Sequence, residues 1–266
     1  MPPLRLRKLL SSFFLVFTIA VALAQQPVRL PIEGCKALYA DSAGNAYIVT
    51  PSLLYCYHIS THTLDSMALL YRHATPVVVD TRMPDSVLVF YPVEGVVQYV
   101  SAQLRTLGEP HRQQGMENVS LICTSQNGGY WVYDYAHDRL THTSADNTVQ
   151  PIRELFLTIG KATFEPCFMQ EHNGRLYLNN FEDGVLVFSQ EGICVETIPL
   201  KGLQTLQLWG EHLYYTLLDQ PYAYNLNTKE NLALPVLLPR SWQSVYAATA
   251  VLVLDKDEHV WKVEQK

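Results

Sequence analysis

Asp41-Ser42-Ala43-Gly44-Asn45-Ala46-Tyr47-Ile48-Val49 is the stretch that decides how this chain is read. Its first half is a tight turn, since glycine and asparagine accept the positive φ that a short hairpin demands. Its second half, rich in apolar and β-branched side chains, is a strand. A further run, Leu54-Tyr55-Cys56-Tyr57, follows after Thr50-Pro51-Ser52 and reads as the next strand of a meander.

The arrangement recurs along the chain. Comparable strands are Ser86-Val87-Leu88-Val89-Phe90-Tyr91, Tyr130-Trp131-Val132-Tyr133, Arg175-Leu176-Tyr177-Leu178, His212-Leu213-Tyr214-Tyr215 and Ala250-Val251-Leu252-Val253-Leu254. Turns precede them at Pro84-Asp85, Gln126-Asn127-Gly128-Gly129, Glu171-His172-Asn173-Gly174, Trp209-Gly210-Glu211 and Ala247-Ala248-Thr249. Taking Tyr47, Val89, Trp131, Tyr177, Tyr214 and Val253 as equivalent gives spacings of 42, 42, 46, 37 and 39 residues. That is the period of a four-stranded propeller blade. A lone four-stranded meander cannot cover both of its apolar faces, whereas blades stacked around an axis cover them all.

The last repeat runs out at Lys266 after three strands, and Pro27-Val28-Arg29-Leu30-Pro31-Ile32 lies unused ahead of the first. The expected architecture is therefore all-β, a single six-bladed β-propeller over residues 25–266, closed by pairing of the N-terminal strand with the last blade. With 266 residues, 48% of them hydrophobic and 17% charged, the chain has apolar material for such a core.

Residues 1–24 read as a signal peptide. Arg5, Arg7 and Lys8 form a charged start, residues 9–24 are almost wholly apolar, and Ala22-Leu23-Ala24 supplies small residues for cleavage after Ala24. An uncleaved anchor is the alternative, but a span needs about twenty apolar residues. The first cysteine, Cys35, follows Pro31-Ile32-Glu33-Gly34, which is no lipobox. The formal charge of −6 becomes −9 when the three basic leader residues leave. No footprint for nucleic acid is present. The expected location is periplasmic or outer-membrane-associated, with nothing spanning the bilayer after cleavage.

Cys35, Cys56, Cys123, Cys167 and Cys194 show neither a CxxC nor a zinc pattern. An odd number leaves at least one thiol free, most are expected buried, and Cys35 with Cys56 is the favoured pair if a disulfide forms.

The turn-and-strand pattern resembles the NHL and YncE-like six-bladed propellers, whose blades open with a D-x-x-G-N-x-[YW] element matched here by Asp41, Gly44, Asn45 and Tyr47. The whole-chain organisation is similar to small secreted propellers of Bacteroidota that carry no assigned activity. The resemblance implies architecture rather than chemistry. No Trp-Asp dipeptide of WD40 blades occurs, and Gly128-Gly129 is the one kelch-like pair.

Candidate chemistry is sparse. His58 and His62 are four apart but sit at a strand end and its turn, where turn roles outweigh a zinc site. Asp255-Lys256-Asp257-Glu258 could touch calcium yet lacks the glycine and further oxygens of a calcium loop. Asp41, Asp80, Asp183 and Asp219 lie at or near strand ends, where acids mostly serve turns. No Gly-x-Ser-x-Gly elbow or phosphate-binding loop is present. The 16 tyrosines suit half-buried strands or a binding surface. Asn118-Val119-Ser120 matches a glycosylation sequon, meaningless in a bacterial protein.

These readings name no catalytic, cofactor-binding or metal residue, and enzymatic activity is unsupported. The expected function is that of an exported, non-enzymatic interaction or scaffold module of a bacterial cell envelope, with an envelope protein as partner. Its docking face would carry the longer connections at residues 108–117 and 158–165. The alternatives are a glycan-binding or glycan-active protein using the central channel, which predicts acids and aromatics converging on one mouth, and, less favoured, a sensor domain.

Overall fold

A computed structural model describes residues 26–72, 77–112, 119–144, 148–151, 164–234, 241–247 and 249–264. The leader with its cleavage point, Asn118 of the sequon, and residues 113–117 and 158–163 of the two expected connections lie outside them; the first of those connections is interrupted by a short strand at His111–Arg112. The described residues form six four-stranded antiparallel sheets, a six-bladed β-propeller.

Blade 1 comprises β2 (Ala37–Ala40), β3 (Asn45–Val49), β4 (Leu53–His58) and β5 (Thr63–Ala68). Blade 2 has β6 (Val78–Asp80), β7 (Val87–Tyr91), β8 (Val96–Val100) and β9 (His111–Arg112). Blade 3 has β10 (Val119–Thr124), β11 (Tyr130–Asp134), β12 (Arg139–Thr143) and β13 (Val149–Pro151). Blade 4 has β14 (Pro166–His172), β15 (Arg175–Asn180), β16 (Gly184–Phe188) and β17 (Cys194–Ile198). Blade 5 has β18 (Leu206–Trp209), β19 (His212–Leu217), β20 (Gln220–Asn225) and β21 (Asn231–Ala233). Blade 6 joins β22 (Ser241–Ala247), β23 (Ala250–Asp255) and β24 (Val260–Glu264) to β1 (Val28–Arg29) from the other end of the chain. All six residues chosen as equivalent from sequence lie on second strands.

Closure is as expected. Val28 pairs with Lys262 and Arg29 with Trp261, and the Leu30 amide donates to the Val260 carbonyl at 2.8 Å. Beyond that strand, Leu30 and Ile32 are buried among Val245, Leu252, Leu254 and Val260.

Second strands show why stacking is obligatory. Every residue of β3, β7 and β11 is buried, because alternate side chains point to opposite faces and both faces are covered by neighbouring blades. Ala46 and Ile48 pack with blade 6, whereas Tyr47 and Val49 pack with blade 2. The core is thus a ring of apolar clusters, one in each cleft between blades.

Polar staples cross the same clefts. First strands of adjacent blades do not pair, so backbone groups facing the neighbour need other partners. Gln243 supplies both donor and acceptor: Nε2 donates to the Leu38 carbonyl at 2.7 Å and Oε1 accepts from the Leu38 amide at 3.0 Å. Gln207 does the same for Tyr246, at 2.8 and 2.7 Å. Elsewhere Thr81 donates to the Ala40 carbonyl, Asp80 accepts from the Thr124 amide and hydroxyl, Glu171 accepts from the Gln126 amide and the Trp131 indole, and His172 meets the Gly210 carbonyl. All six junctions carry such a bond.

Candidate functional site

First strands of all six blades line a central cavity of about 370 Å³. Its wall is largely apolar, with Leu38, Val79, Leu121, Ile122, Phe168 and Leu206 among the contributors. Asp80 is the one carboxylate in that lining, and its oxygens are engaged: Oδ1 accepts from the Arg82 amide at 3.0 Å, and Oδ2 accepts from the Thr124 amide and hydroxyl, each at 2.6 Å. Glycoside hydrolysis needs two carboxyl groups flanking one bond. The described channel wall does not bring such a pair together.

Most other sequence candidates are occupied by turn and strand work. Asp41 is a hub: Oδ1 accepts from the Ala43 and Asn45 amides, and Oδ2 from the Asn45 side chain and the Tyr47 hydroxyl. That arrangement is the physical content of the D-x-x-G-N-x-Y element. His58 contacts Asn45 Oδ1 at 2.6 Å and Asp65 Oδ2 at 2.9 Å, while His62 Nδ1 contacts the Tyr57 hydroxyl at 3.3 Å. The two histidines serve separate local partners. Asp183 and Asp219 lie in the hairpin turns after β15 and β19.

The hairpin joining β23 to β24 repeats the hub. Asp255 Oδ1 accepts from the Asp257 and His259 amides, and Oδ2 from the Trp261 indole and the His259 ring. Asp255, Asp257 and His259 place their ligand atoms within 4.8 Å of one another, but a cation there would have to displace donors that Asp255 already holds. Burial works against the Asp255 charge, yet the donors from Trp261, His259 and Asp257 outweigh it and hold its pKa below the usual carboxylate value. Its contribution to stability is therefore complete above the unfolded pKa of about 4 and is lost as pH falls through the lower folded value. Asp255→Asn is expected to melt below wild type at pH 7, with the gap closing under acid; a gap constant from pH 7 to 3 would refute this.

No disulfide joins Cys35 to Cys56. The two thiols lie on opposite sides of blade 1, Cys35 ahead of β2 in the cleft with blade 6 and Cys56 on β4 in that with blade 2. Burial pushes both thiols up to about 12 and raises Cys123 as well. Native alkylation at pH 8 is expected to label Cys167 first and Cys194 in part, leaving these three for the unfolded chain. Rapid native labelling of all five, read by mass, would contradict it. The tyrosine excess is mainly core: Tyr47, Tyr91, Tyr133, Tyr177, Tyr215 and Tyr246 are buried, and Tyr135 stands out as exposed.

Tyr135 belongs to a series that the sequence reading passed over. In blades 2 to 5 the turn between second and third strands carries Val93, Tyr135, Phe181 and Leu218, exposed by 58%, 62%, 52% and 92%. They are 42, 46 and 37 residues apart, each four residues beyond its repeat anchor. The periodicity that located the strands therefore also marks them. Blades 1 and 6 have Pro51 and Asp257 at that position. Because strands alternate in every blade, these turns and the connections between blades emerge on one face. Leu70 and Leu217 add to it, the Leu70 amide meets the Tyr91 hydroxyl, and the Gly202 amide reaches the Phe181 carbonyl at 2.8 Å. On the opposite face, with turns such as Gln126-Asn127-Gly128-Gly129, Met83 and Ile193 are exposed by 48% and 60%, but at unlike places in their blades, Met83 ahead of a second strand and Ile193 ahead of a fourth.

Leu218 is held against its own preference. Leu218 and Asp219 have φ of 51° and 63°, closing a two-residue hairpin between Leu217 and Gln220. Such a turn favours asparagine or glycine, and a β-carbon in this region costs about 1–2 kcal/mol. Leu218→Asn is expected to raise the melting temperature by about 2–4 °C; an unchanged or lower value would show that the leucine is not strained.

No protein-family model matches the chain, and no curated protein matches its sequence. Solved structures do. A streptogramin B lyase aligns over 91% of this chain and 87% of its own, at TM-score 0.57 and 11% identity. The Pan2 WD40 domain of Neurospora crassa aligns over 88% and 90%, at TM-score 0.60 and 7% identity. The extracellular domain of a protein from B. thetaiotaomicron described as a hybrid two-component system aligns over 90% of this chain and 36% of its own, at TM-score 0.54 and 11% identity. What they share is the fold. An enzyme, a WD40 domain and an extracellular domain all wear it, so function must come from the surface of this chain.

Proposed function

We propose that this chain is an exported, non-enzymatic propeller that serves as a protein-interaction or scaffold module in a bacterial cell envelope. The observation that carries the reading is the single face on which four consecutive blades present a large exposed apolar side chain at the same repeat position. Singly exposed apolar residues are ordinary on a protein surface, whereas grouped ones rimmed by polar residues mark interaction sites, so the repetition at one position of one face is what supports the reading. The reading keeps the docking face expected from sequence, the one bearing the inter-blade connections, and moves the emphasis to the hairpin tips.

Export is supported by the leader-like residues 1–24 and by the use of this fold in the extracellular domain from B. thetaiotaomicron. Among the described residues no helix is long and apolar enough to cross a membrane. The glycan alternative draws nothing from the apolar channel wall.

Mild crosslinking in the native host, with wild type and a Phe181→Ser/Leu218→Asn variant, tests the reading. An envelope protein recovered with wild type and lost with the variant is the expected result. Recovery of bare monomer in both, or equal recovery of the same partner, would count against it. N-terminal sequencing of the exported protein should begin at Gln25.

A further inference from the structure

The face opposite the apolar tips holds another cavity, of about 460 Å³, walled by turns of three consecutive blades. Arg82 comes from the turn after β6, Gln126 from the turn after β10, His172, Asn173 and Gly174 from the end of β14 and its turn, and Gln190 from the turn after β16. It lies beside the channel mouth, since Asp80 and Thr81 ahead of Arg82, and Gln170 ahead of Glu171, line the channel. Small-molecule sites have about this size, 300–1,000 Å³, but are ordinarily apolar. Every side chain lining this one is polar.

The frame is fixed by bonds on the page. Glu171 is buried with its oxygens on the Gln126 amide and the Trp131 indole, and the His172 ring donates through Nε2 to the Gly210 carbonyl at 2.7 Å. Asn173 and Gly174, at φ of 49° and 71°, close a tight turn. A β-carbon on Gly174 would lie 3.5 Å from Gln190 Nε2 and 3.8 Å from Gln126 Oε1, so amide heads from two blades converge over a residue without a side chain. Gln190 Oε1 accepts from Asn127 at 3.0 Å, which leaves its Nε2 as a donor. Arg82 uses Nε on the Thr124 hydroxyl at 3.0 Å, and its two terminal nitrogens meet no partner among the described residues.

Charge decides what such a cavity takes. Arg82 supplies the one guanidinium of the lining and Glu171 the one carboxylate, and the exposed acids Asp85 and Glu191 stand in the same turns as Arg82 and Gln190. An anion would meet those acids as well as the guanidinium. A metal cation would have to displace the donors on Glu171, and an apolar peptide side chain would find no apolar wall. Uncharged hydroxyls remain, since each donates and accepts at once, as do the side-chain amides around the cavity.

We propose that this cavity binds a neutral saccharide, about one or two sugar residues long, through the Arg82 fork and the amides of Gln126, Asn173 and Gln190. A planar fork and planar amides each bridge neighbouring hydroxyls of a sugar ring, which fixes its orientation. The apolar channel offers nothing comparable.

Saturation-transfer NMR on the wild-type protein, with glucose, galactose, mannose, maltose, cellobiose and lactose as probes, tests this. At least one is expected to bind saturably at millimolar concentration, with glucuronate no tighter than the best of them and inorganic phosphate not competing. Titration of that sugar should show at least a tenfold loss for Gln126→Ala/Gln190→Ala. Gly174→Asn should lose as much, because asparagine tolerates the left-handed turn and its side chain fills the cradle. Tyr135→Ser on the tip face should bind as wild type, and matched melting curves separate lost binding from lost structure. Retarded migration through a gel holding the matching polysaccharide would make the ligand the end of a glycan, and binding without retardation a free sugar; the site stands in both cases.

No saturable binding of any of the six sugars, or undiminished binding by either variant, would overturn the proposal. Glucuronate binding more tightly than every neutral sugar, or displacement of the sugar by phosphate, would replace it by an anion site built on Arg82. The partner recovered by crosslinking depends on the other face, so failure here leaves the interaction reading standing.

Discussion

Leu30→Ala/Ile32→Ala is expected to unfold most of the protein at growth temperature, although both residues lie near the N-terminal end of the described chain. Each side chain is buried in the cleft between the first and last blades, and truncating a buried aliphatic to alanine costs about 2–5 kcal/mol. The two are close enough that their costs need not add, yet even about 5 kcal/mol is comparable with the whole stability of many domains. At about 2–4 °C per kcal/mol for a domain of this size, the melting temperature should fall by about 10–20 °C. Val28→Ala is the control, since Val28 lies on β1 just ahead of the two and is 55% exposed. A fall below about 3 °C for the double variant would mean that the ring closes without this segment.

The second large effect is steric. Gly129 sits at φ +77° before β11, and a β-carbon there would lie 1.8 Å from the Thr143 carbonyl oxygen. That oxygen belongs to a strand held in register by the Tyr130 and Thr143 pairing, so neither side can yield without opening the blade. Gly210 makes the corresponding turn in blade 5 at φ +59°, with nothing within 4 Å of its virtual β-carbon. Both alanine variants bear the cost of a left-handed residue, about 1–2 kcal/mol, and Gly129→Ala alone adds overpacking of about 1–3 kcal/mol or more. Urea unfolding should place Gly129→Ala at least about 1 kcal/mol below Gly210→Ala. Equal losses would show that the turn in blade 3 relaxes freely.

Turn chemistry made the blades legible. Glycine at Gly44, Gly174 and Gly210 has the positive φ that its place before a second strand predicts, and the β-branched and aromatic runs between turns are strands where expected. The Cys35 and Cys56 pairing was the misreading, because closeness along the chain says nothing about which face of a sheet a side chain takes. Gln207 and Gln243 were likewise silent in sequence. A glutamine on a strand looks like an outward polar residue until the next blade, 39 residues on for the bond to Tyr246, brings backbone groups to it.

By itself the sequence determined the repeat, the blade number and the closing strand, since these follow from local turn geometry and from a period that simple counting reveals. Only the tertiary structure decided that Asp41, Asp80 and Glu171 hold turns and neighbouring blades together, and that the channel wall is apolar. It also gathered Val93, Tyr135, Phe181 and Leu218 on one face. The reason is physical. Turns and strands are settled by residues a few positions apart, whereas burial and the sharing of a face depend on blades about 40 residues apart meeting around an axis.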